Sequence, residues 1–347
     1  MPDTDTGTAT ACVLCGSVES REPLLVGVVD NRYHVEGRWD FRRCRTCGLV
    51  ALHPFPDDIG AGYPAAYSQH RVRAPSTGTP ARSPARRWLR RHSLAGLGYR
   101  DDWGDGDPGT DDASAPVRPG PVDRLVAAVP AVRMQAQWGS ILVPQARPGG
   151  RVLDVGCGAG RYLAVMKALG WDVTGVEPDD SSRAVAQAQG LRVVPSVAEA
   201  GFEHGSFDVI ALNHVIEHLA DPVGELRSLR PLLAPDGLLG VATPNWAAFG
   251  RRVFGRSWYA LEAPRHLVLF DPATLRATIE AAGFKVVSRA TRSAREGPET
   301  WKISWAVSRR KHASRPVVAL GTAASCAAAF VGAGEEIEQW AIPSAAE

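Results

Sequence analysis

A short apolar segment that ends in closely spaced glycines constrains the fold of this chain more than any other feature. The sequence from Arg151 to Gly160 reads R-V-L-D-V-G-C-G-A-G, and a helix start follows it. The apolar residues suit a buried parallel strand, and the glycines permit backbone conformations and a close ligand approach that a Cβ would block. The segment therefore predicts an α/β fold with a doubly wound sheet and a ligand at the glycine turn.

The spacing of the glycines indicates which kind of nucleotide binds. A dinucleotide site has the pattern G-x-G-x-x-G and faces a pyrophosphate, whereas here the pattern is G-x-G-x-G and Asp154 precedes it. A carboxylate at that point would repel a pyrophosphate but can contact a cationic amino-acid group. Glu177 ends the next apolar segment, close to the spacing at which an acid reaches ribose hydroxyls. These residues favour a nucleoside ligand that carries a cationic amino-acid part.

The same segment resembles the first motif of class I S-adenosylmethionine (SAM) dependent methyltransferases. Glu177 in T-G-V-E-P is similar to their ribose-binding acid, and residues Ser206 to Leu219 resemble their fourth strand and the segment after it. The resemblance continues through Leu232 to Asn245 and ends near Ala281 to Val287. It implies a Rossmann-like class I methyltransferase fold, with another doubly wound domain such as a dehydrogenase as the alternative. The residues implied for SAM binding are Asp154, Gly156, Cys157, Gly158, Gly160, Glu177, Asn213 and His214.

Length and charge limit the classes of function. A chain of 347 residues is expected to form two units plus linkers. Its net charge of +2 gives no overall argument for nucleic acid or an anionic membrane, and its basic clusters, at Arg82 to Arg91 and Arg309 to Arg315, are typical of solvated faces. The first ten residues lack the basic flank and apolar core of a signal peptide, so we expect a cytoplasmic location.

Four cysteines have the spacing of a zinc site. They form two C-x-x-C pairs, each followed directly by glycine, and the alternative of disulfides or bystander thiols is disfavoured in a chain with no visible export signal. Because protein fills all four ligand positions, the zinc should be structural. The predicted ligands are Cys12, Cys15, Cys44 and Cys47.

The sequence after the second cysteine pair, G-L-V-A-L-H-P-F-P-D with Tyr63 and Tyr67 downstream, resembles the zinc-binding N-terminal module of some bacterial methyltransferases. Those enzymes modify sugars, cell-surface glycans or natural products. In the sugar C-methyltransferases with such a module, a further Rossmann-like domain follows the SAM domain. Only about sixty residues follow Val287 here, which counts against C-methylation of a nucleotide sugar.

Composition divides the chain into four parts. Residues 1–70 are the zinc module, and residues 71–120 are a flexible linker or lid interrupted by a short basic helix near Arg86 to His92. Residues 121–290 are the SAM domain, which opens with a helix in 122–143 and contains an acceptor-pocket insertion at 245–270. Residues 291–347 are a helical tail. Within it, residues 316–334 carry no charge, but alanine and glycine dominate, so a membrane helix is less favoured than a buried one.

Histidines supply the candidate catalytic groups. His214, Glu217 and His218 fall just after the strand predicted at 207–212, at the edge where open α/β sheets bind ligands. Methylation of a hydroxyl requires removal of its proton, and histidine titrates in the range of a general base. His218 is the first choice for this role, and His214 and His266 are the next two.

His266 belongs to a late insertion, W-Y-A-L-E-A-P-R-H-L-V-L-F, where related enzymes build the acceptor pocket. Trp258, Tyr259 and Arg265 of this segment would suit a sugar or aromatic acceptor. The alternative is that Trp258 and Phe270 are core residues and that His266 caps a turn.

The same residues allow metal binding. His214, Glu217, His218 and His266 are similar to the metal ligands of RNA 2'-O-methyltransferases that depend on a metal, although those enzymes have an acid at the first position. The preferred function remains SAM-dependent methylation of a small molecule, at a hydroxyl of a sugar, glycan precursor or secondary metabolite. The alternatives are such an RNA methyltransferase, which the lack of a basic excess counts against, and a non-catalytic zinc-containing binding protein with a degenerate SAM fold.

Overall fold

The computed structural model describes residues 11–18, 21–56, 58–63, 84–99, 117–128, 142–293 and 296–344. The strands are β1 (Glu22–Val28), β2 (Trp39–Arg43), β3 (Val50–His53), β4 (Arg151–Val155), β5 (Asp172–Val176), β6 (Arg192–Val194), β7 (Phe207–Asn213), β8 (Leu233–Pro244), β9 (Val268–Leu269), β10 (Phe284–Arg292) and β11 (Glu336–Pro343).

The α-helices are α1 (Pro84–Gly96), α2 (Pro121–Ala128), α3 (Arg161–Ala168), α4 (Asp180–Ala188), α5 (Val197–Ala200), α6 (Pro222–Leu229), α7 (Phe249–Phe254), α8 (Pro272–Ala281), α9 (Glu296–Glu299), α10 (Trp305–Arg309) and α11 (Arg315–Ala329). A π-helical turn spans Thr300–Ser304. Short 3₁₀ turns span Gly60–Gly62, Ile216–His218, Arg230–Leu232, Gly255–Ser257 and Tyr259–Leu261.

The larger sheet has seven strands in the order β10-β11-β8-β7-β4-β5-β6. Strands β4 to β8 in this sheet pair in parallel, and β11 pairs antiparallel with β8 and with β10. The strand order reverses beside β4, which lies between β5 and β7, and open sheets bind ligands at the carboxyl ends of the strands at such a point. The predicted Rossmann-like doubly wound fold is confirmed.

Helices cover both faces of this sheet because the central strands are apolar on both sides. Val152 of β4 faces one core together with α1, α3 and α4, whereas its neighbour Leu153 faces a second core together with α6 and α8. Successive residues of a strand point to opposite faces, so β4 contributes to both cores. The second core also contains the N-terminal residues Phe41 and Leu52.

The smaller sheet has the order β1-β2-β3-β9, and its last strand comes from the predicted acceptor-pocket insertion. Val50 of β3 pairs with Leu269 of β9, and the Leu52 N–H donates a 2.8 Å hydrogen bond to the Leu267 carbonyl. The predicted zinc module is therefore joined to the insertion through one sheet and one core. This connection between residues so distant in the chain was not predicted from the sequence.

The end of the chain differs from the predicted helical tail. Helix α11 is present, but the segment after it forms β11, which lies between β8 and β10 in the large sheet. The prediction of a purely helical tail is wrong for these residues, because the sheet extends to Pro343. Among the described residues, none of the helices combines the length and apolarity needed to cross a bilayer.

The predicted linker and the helix after it are described only in part. Helix α1 includes the short basic helix that the sequence predicts in this region. Helix α2 is the start of the helix predicted at 122–143, and residues 129–141 of that prediction lie outside the described residues. Leu142 and Val143, which are described, are not helical. Tyr67 also lies outside them.

Candidate active site

The glycine turn after β4 adopts the backbone that its sequence predicts. Gly156, Gly158 and Gly160 have φ values of +69°, +54° and +82°, in the left-handed region that L side chains rarely adopt. A Cβ on Gly156 would approach Val215 Cγ2 to 2.6 Å, and a Cβ on Gly160 would approach Leu191 Cδ1 to 2.5 Å. A Cβ on Gly158 would meet open space instead. Two of the glycines are thus needed for packing, and Gly158 leaves room for a ligand.

The resemblance implied that Cys157 contacts the cofactor, but its side chain points into the interior, toward β5. It is buried, and its Sγ would lie 2.6 Å from a Cβ on Gly175 of β5. Burial raises the pKa of the Cys157 thiol, and the charges of Asp154 and Glu177 raise it further. The side chain therefore packs as a small neutral group.

Glu177 lies at the end of β5 beside the glycine turn. Its Oε2 accepts a 2.8 Å hydrogen bond from the Gly158 N–H, and its Oε1 accepts a 2.9 Å bond from the Asp179 N–H. The residue retains only 9% of its accessible surface. Two backbone donors thus hold the carboxylate at the position predicted for a ribose-binding acid.

Buried polar atoms without hydrogen-bond partners surround this turn. In the part of the chain that the structure describes, Asp154 Oδ1 and the Tyr162 hydroxyl have none, and the Asn213 amide makes no well-formed hydrogen bond although it lies close enough to Asp154 to lower its pKa. Burial raises the pKa of Asp154 well above its usual range and the charge of Glu177 adds to this, while Asn213 opposes it. Unpaired buried polar groups are costly, so this donor and acceptor set fits a polar ligand such as the amino-acid end of SAM.

His218 and His266 form a pair of imidazoles near the carboxyl end of β7, apart from the glycine turn. Their ring centroids are 4.7 Å apart and the rings are inclined at 76°. The His266 Nδ1 lies 2.8 Å from the Ala260 carbonyl, and the His218 Nδ1 lies 3.0 Å from the Arg265 carbonyl. Since a carbonyl only accepts, the proton of His266 lies on Nδ1 and its Nε2 keeps a lone pair. The His218 Nδ1–H is shared between the Arg265 carbonyl and the Tyr63 hydroxyl, which lies 2.8 Å away, so the His218 Nε2 also keeps its lone pair. Burial and the charge of His218 together lower the pKa of His266 to about 4, although Glu262 and Glu217 oppose them.

Glu217 is buried beside the two imidazoles. Its Oε2 accepts a 2.8 Å hydrogen bond from the Thr243 hydroxyl. Burial alone would raise its pKa, but the hydrogen bond from His214 and the charges of neighbouring histidines outweigh burial and hold the pKa at about 2. A carboxylate therefore stands close to the His218 ring and would stabilise a proton on it.

His214 is placed differently from the other two candidate bases. Its Nε2 lies 2.9 Å from Glu336 Oε1 and its Nδ1 lies 3.4 Å from Glu217 Oε1. Burial opposes the imidazolium, but the Glu336 carboxylate and the Glu217 hydrogen bond outweigh burial, so the pKa of His214 is well above its usual value. An imidazolium has no lone pair that could accept a proton. His214 is therefore suited to neutralising the carboxylates of Glu217 and Glu336 and not to acting as a base.

Two residues at this edge were not assigned a role from the sequence. The Tyr63 hydroxyl reaches from the N-terminal part of the chain to within 2.8 Å of the His218 Nδ1. Glu336, at the start of β11, contacts His214 and receives 2.6 Å and 2.8 Å hydrogen bonds from Arg292. The apolar and aromatic residues of E-I-E-Q-W-A-I-P were the available signal for that strand.

Arg265, predicted to suit an acceptor, is fully buried in an ion pair. Its guanidinium donates to both carboxylate oxygens of Asp30 at 2.8 Å and 3.1 Å, and stacks 4.6 Å from the Tyr33 ring. Burial alone would raise the pKa of Asp30, but Arg265 holds it below its usual value. Trp258 and Phe270 are core residues, as the alternative interpretation stated. These side chains fasten the insertion to the N-terminal part of the chain and do not face an acceptor.

The four N-terminal cysteines form one cluster. Cys12 Sγ lies 3.6 Å from Cys47 Sγ, Cys15 Sγ lies 3.7 Å from Cys44 Sγ, and all four sulfurs lie within 4.8 Å of one another. Burial raises the pKa of the Cys44 thiol, but backbone N–H groups of Cys47 and Thr46 outweigh it and lower the pKa to about 7. Backbone N–H groups within the second C-x-x-C pair therefore point at the Cys44 sulfur.

A second group of potential metal ligands lies at the active edge. Glu217, His218 and His266 offer ligand atoms that all lie within 4.8 Å of one another. His214, the fourth predicted ligand, does not belong to this group. Carboxylate and imidazole suit a divalent cation, and the Nε2 atoms that keep a lone pair are the ones available to it.

Comparison with known proteins relates part of this chain to methyltransferases. Residues 133–289 match a family described as "Methyltransferase domain". A ubiquinone biosynthesis O-methyltransferase of Xanthomonas campestris pv. campestris is 36% identical over 130 residues, which are 35% of this chain and 54% of that protein. Over residues 133–289 the chain therefore carries a methyltransferase domain with a Rossmann-like fold.

Other relatives of this domain have similar coverage. A ubiquinone biosynthesis O-methyltransferase of Caulobacter sp. (strain K31) is 41% identical over 105 residues, which are 28% of this chain and 42% of that protein. This chain therefore spans about half the length of the relatives it matches. A solved SAM dependent methyltransferase of Archaeoglobus fulgidus is 20% identical, covers 56% of this chain and 86% of its own, and superposes with a TM-score of 0.40.

Proposed function

We propose that this protein transfers the methyl group of SAM to a hydroxyl of a small-molecule acceptor. The observation that carries the proposal is the pair of imidazoles of His218 and His266 at the carboxyl end of β7. Each Nδ1 lies within hydrogen-bond distance of a backbone carbonyl, which leaves each Nε2 with its lone pair. A hydroxyl needs such a base, because its oxygen must lose a proton as it forms the new bond. The names of the relatives, which are O-methyltransferases, support the same acceptor atom.

The cofactor would be held by the glycine turn and its neighbours. SAM supplies an electrophilic methyl group on a sulfonium centre. Glu177 would accept hydrogen bonds from the ribose hydroxyls, and Asp154 and Asn213 would pair with the amino-acid end through the atoms that otherwise lack partners. Gly158 would allow the ligand to approach the backbone closely, since no atom lies within 4 Å of the position of its missing Cβ.

His218 is proposed as the general base. With SAM bound, its Nε2 would accept the proton of the acceptor hydroxyl as that oxygen takes the methyl group from the sulfonium sulfur. The products are the methyl ether, S-adenosylhomocysteine and a proton on the imidazole. Glu217, buried and ionised, stabilises that proton, and the Tyr63 hydroxyl helps to fix the ring through Nδ1. His266, with a pKa of about 4, stays neutral beside it and can accept a hydrogen bond from the acceptor.

The acceptor class is a sugar, a glycan precursor or a secondary metabolite that carries a hydroxyl. A phenolic quinone precursor belongs in the same test set because of the relatives' names. Arg265 does not contribute to recognition in this proposal, since Asp30 occupies it. Tyr259, which is half-buried, is the remaining aromatic candidate from the insertion.

A structural zinc ion in the cysteine cluster is part of the proposal. A tetrahedral ion with Zn–S bonds of about 2.3 Å requires sulfurs about 3.8 Å apart. The Sγ–Sγ distances of 3.6 Å between Cys12 and Cys47 and 3.7 Å between Cys15 and Cys44 fit that requirement. Cys12, Cys15, Cys44 and Cys47 would hold the ion, and its role would be to stabilise the sheet that β9 completes.

Metal-assisted methylation is a second candidate, favoured by the grouping of Glu217, His218 and His266. In that case the three residues would hold a divalent cation that polarises the acceptor oxygen. Metal analysis before and after chelation, followed by activity with added Mg²⁺, Mn²⁺ or Zn²⁺, distinguishes the candidates. Under the preferred function, activity survives chelation that leaves the cysteine-bound zinc in place.

The test of the proposed function starts with calorimetric titration of the protein with SAM and with S-adenosylhomocysteine. Labelled SAM is then incubated with a panel of phenols, sugars and nucleotide sugars, and the products are identified by mass spectrometry. Binding of both ligands and an O-methyl product are expected. A folded protein that binds neither ligand would overturn the proposal, and an N- or C-methyl product would overturn its acceptor atom.

A further inference from the structure

The chain leaves the large sheet between β10 and β11 and returns at the active edge. Arg292, at the end of β10, pairs in register with Glu336, at the start of β11. Glu336 in turn contacts His214. The intervening segment, residues 293–335, carries α9, the π-helical turn, α10 and α11, and it therefore stands at the edge of the sheet that holds the candidate active site.

One side of α11 is fixed to the protein. A Cβ on Gly321 would lie 1.9 Å from the Trp301 ring, so this glycine permits close packing of the helix on the π-helical turn. The Trp301 Nε1 donates to the Ser325 hydroxyl at 3.1 Å, and that hydroxyl donates to Glu335 at 2.7 Å. These contacts determine which side of α11 faces outward.

The outward side of α11 is apolar from Pro316 onward. Leu320 is 73% exposed, and Phe330 and Val331, directly after the helix, are 62% and 82% exposed. No charged residue occurs from Pro316 to Gly334. A solvated helix face normally carries charged residues, so this exposed side fits an apolar environment better than water. The outward side also includes Pro316, Ala319, Ala323 and Ala327.

Positive charge borders this face and negative charge is missing from it. Arg309, Arg310, Lys311 and Arg315 are exposed at the N-terminal end of α11. From Thr300 to Gly334 the sequence contains no Asp or Glu. A helix with an apolar side and flanking basic residues is the pattern of a segment that lies in the interface of an anionic bilayer.

We infer that the outward side of α11, with Phe330 and Val331, docks on the surface of an anionic lipid bilayer. The helix lies along the membrane plane, with its apolar side chains among the acyl chains and the basic cluster on the lipid headgroups. Charge complementarity favours this occupant, because Arg309, Arg310, Lys311 and Arg315 adjoin the apolar side and no Asp or Glu lies between Thr300 and Gly334. The inference goes beyond the proposed function.

Vesicle flotation tests the inference with the full chain. Vesicles of phosphatidylcholine alone are compared with vesicles of phosphatidylcholine and phosphatidylserine, at low and high salt. The protein is expected to float with the anionic vesicles only, and salt should weaken the association. An Arg309→Gln, Arg310→Gln, Lys311→Gln variant should bind about 100-fold more weakly. A variant with Leu320→Ser, Phe330→Ser and Val331→Ser should lose binding by at least about 10-fold.

The matched control removes the same positive charge from other surfaces. Arg227→Gln, Arg276→Gln, Lys285→Gln changes exposed residues of α6, α8 and β10 and should float like the unmodified protein. Circular dichroism and titration with S-adenosylhomocysteine show that each variant is folded, without any need for methylation activity. Equal weakening by the control, or no flotation at all, would overturn the inference. So would a dimer in analytical ultracentrifugation that the serine variant separates, since the face would then bind a second copy.

Discussion

The two halves of the carboxyl edge are built in opposite ways. The cofactor half is nearly contiguous in the chain. Asp154 lies in β4, the glycine turn joins β4 to α3, and Glu177 directly follows β5. The acceptor half brings together Tyr63, the 3₁₀ turn after β7, His266 of the insertion and Glu336 of β11. Backbone geometry dominates the first half, whereas side chains from four distant segments make the second. The cofactor class is therefore readable from one stretch of sequence, while the acceptor groups depend on the whole fold.

The largest expected effect separates the two halves most directly. His218→Ala removes the proposed base and should lower kcat by about 100-fold to 10,000-fold. The affinity for SAM should stay unchanged, because His218 belongs to the acceptor half. Steady-state kinetics and calorimetry on the same preparation check this, with His204→Ala at an exposed loop as control. An equal loss of SAM affinity would show that the two halves are not separate.

A buried ion pair is expected to support the acceptor half. Asp30→Ala leaves the Arg265 guanidinium buried without its partner, which costs about 3–5 kcal/mol of stability. The thermal midpoint should fall on the order of 10 °C. Differential scanning calorimetry measures this, with Asp236→Ala, whose carboxylate is 71% exposed in its pair, as control. A midpoint equal to that of the control would mean that the pair does not hold the insertion in place.

The cofactor half should respond in the complementary way. Glu177→Ala removes the proposed acceptor of two ribose hydrogen bonds and should weaken SAM binding by about 10-fold to 100-fold. The KM for the acceptor should change little, because no acceptor group is touched. Calorimetric titration measures the affinity, and Glu199→Ala on the exposed helix α5 serves as control. Unchanged affinity for SAM would remove Glu177 from the cofactor site.

Two tyrosines allow a finer comparison. Tyr63→Phe removes the hydroxyl beside His218 and should lower kcat by about 10-fold with SAM affinity retained. Tyr162→Phe removes a buried hydroxyl that lacks a partner beside Asp154, and should change SAM affinity while kcat holds. The pH profile of kcat adds a readout, since only Tyr63→Phe should move it. The reverse result would exchange the two assignments.

The smallest expected effect concerns pH. Burial alone would raise the pKa of Glu336, but Arg292 and His214 outweigh it and lower the pKa from 4.5 to about 2. A lowered carboxyl pKa contributes stability above the ordinary value, which is lost as the pH falls from 4.5 toward 2. Relative to Glu336→Gln, the native protein should therefore be more stable by a few degrees above about pH 5, and the gap should close in acid. Thermal midpoints against pH check this, and a gap that widens in acid would contradict it.

The raised pKa of His214 affects the stability of the protein at higher pH than the lowered pKa of Glu336 does. Its contribution to stability is complete below its ordinary value of 6.5 and is lost only as the pH rises through the raised value. In Glu336→Gln this loss should begin at lower pH, because one of the two carboxylates that stabilise the imidazolium is gone. Titration of the His214 ring by NMR measures it directly.

The sequence predicted what local patterns can carry. The glycine turn, the parallel strands and the cysteine spacing each depend on residues close together in the chain, and the structure has them in the predicted places. Strand β11 was missed because Glu336 and Glu338 do not resemble a buried strand. They are buried because Arg292 of β10 neutralises them, and a partner in another strand leaves no local pattern.

The role of Arg265 was misread for a related reason. A basic residue in an insertion suits an acceptor until its partner is known, and Asp30 lies in a distant part of the chain. The same limit applies to Tyr63, whose contact with His218 joins residues that no periodicity connects. Sequence reasoning named candidate residues at this edge but not the long-range contacts that orient them.

The pairing of β3 with β9 also sets an order of events during synthesis. Residues of β1, β2 and β3 emerge from the ribosome long before Val268 and Leu269. The backbone groups of β3 that pair with β9 therefore lack their partners until β9 has been synthesised. A nascent chain halted within α6 would therefore expose that edge to other chains. Translation speed across the intervening region should influence how much of the protein reaches its native form.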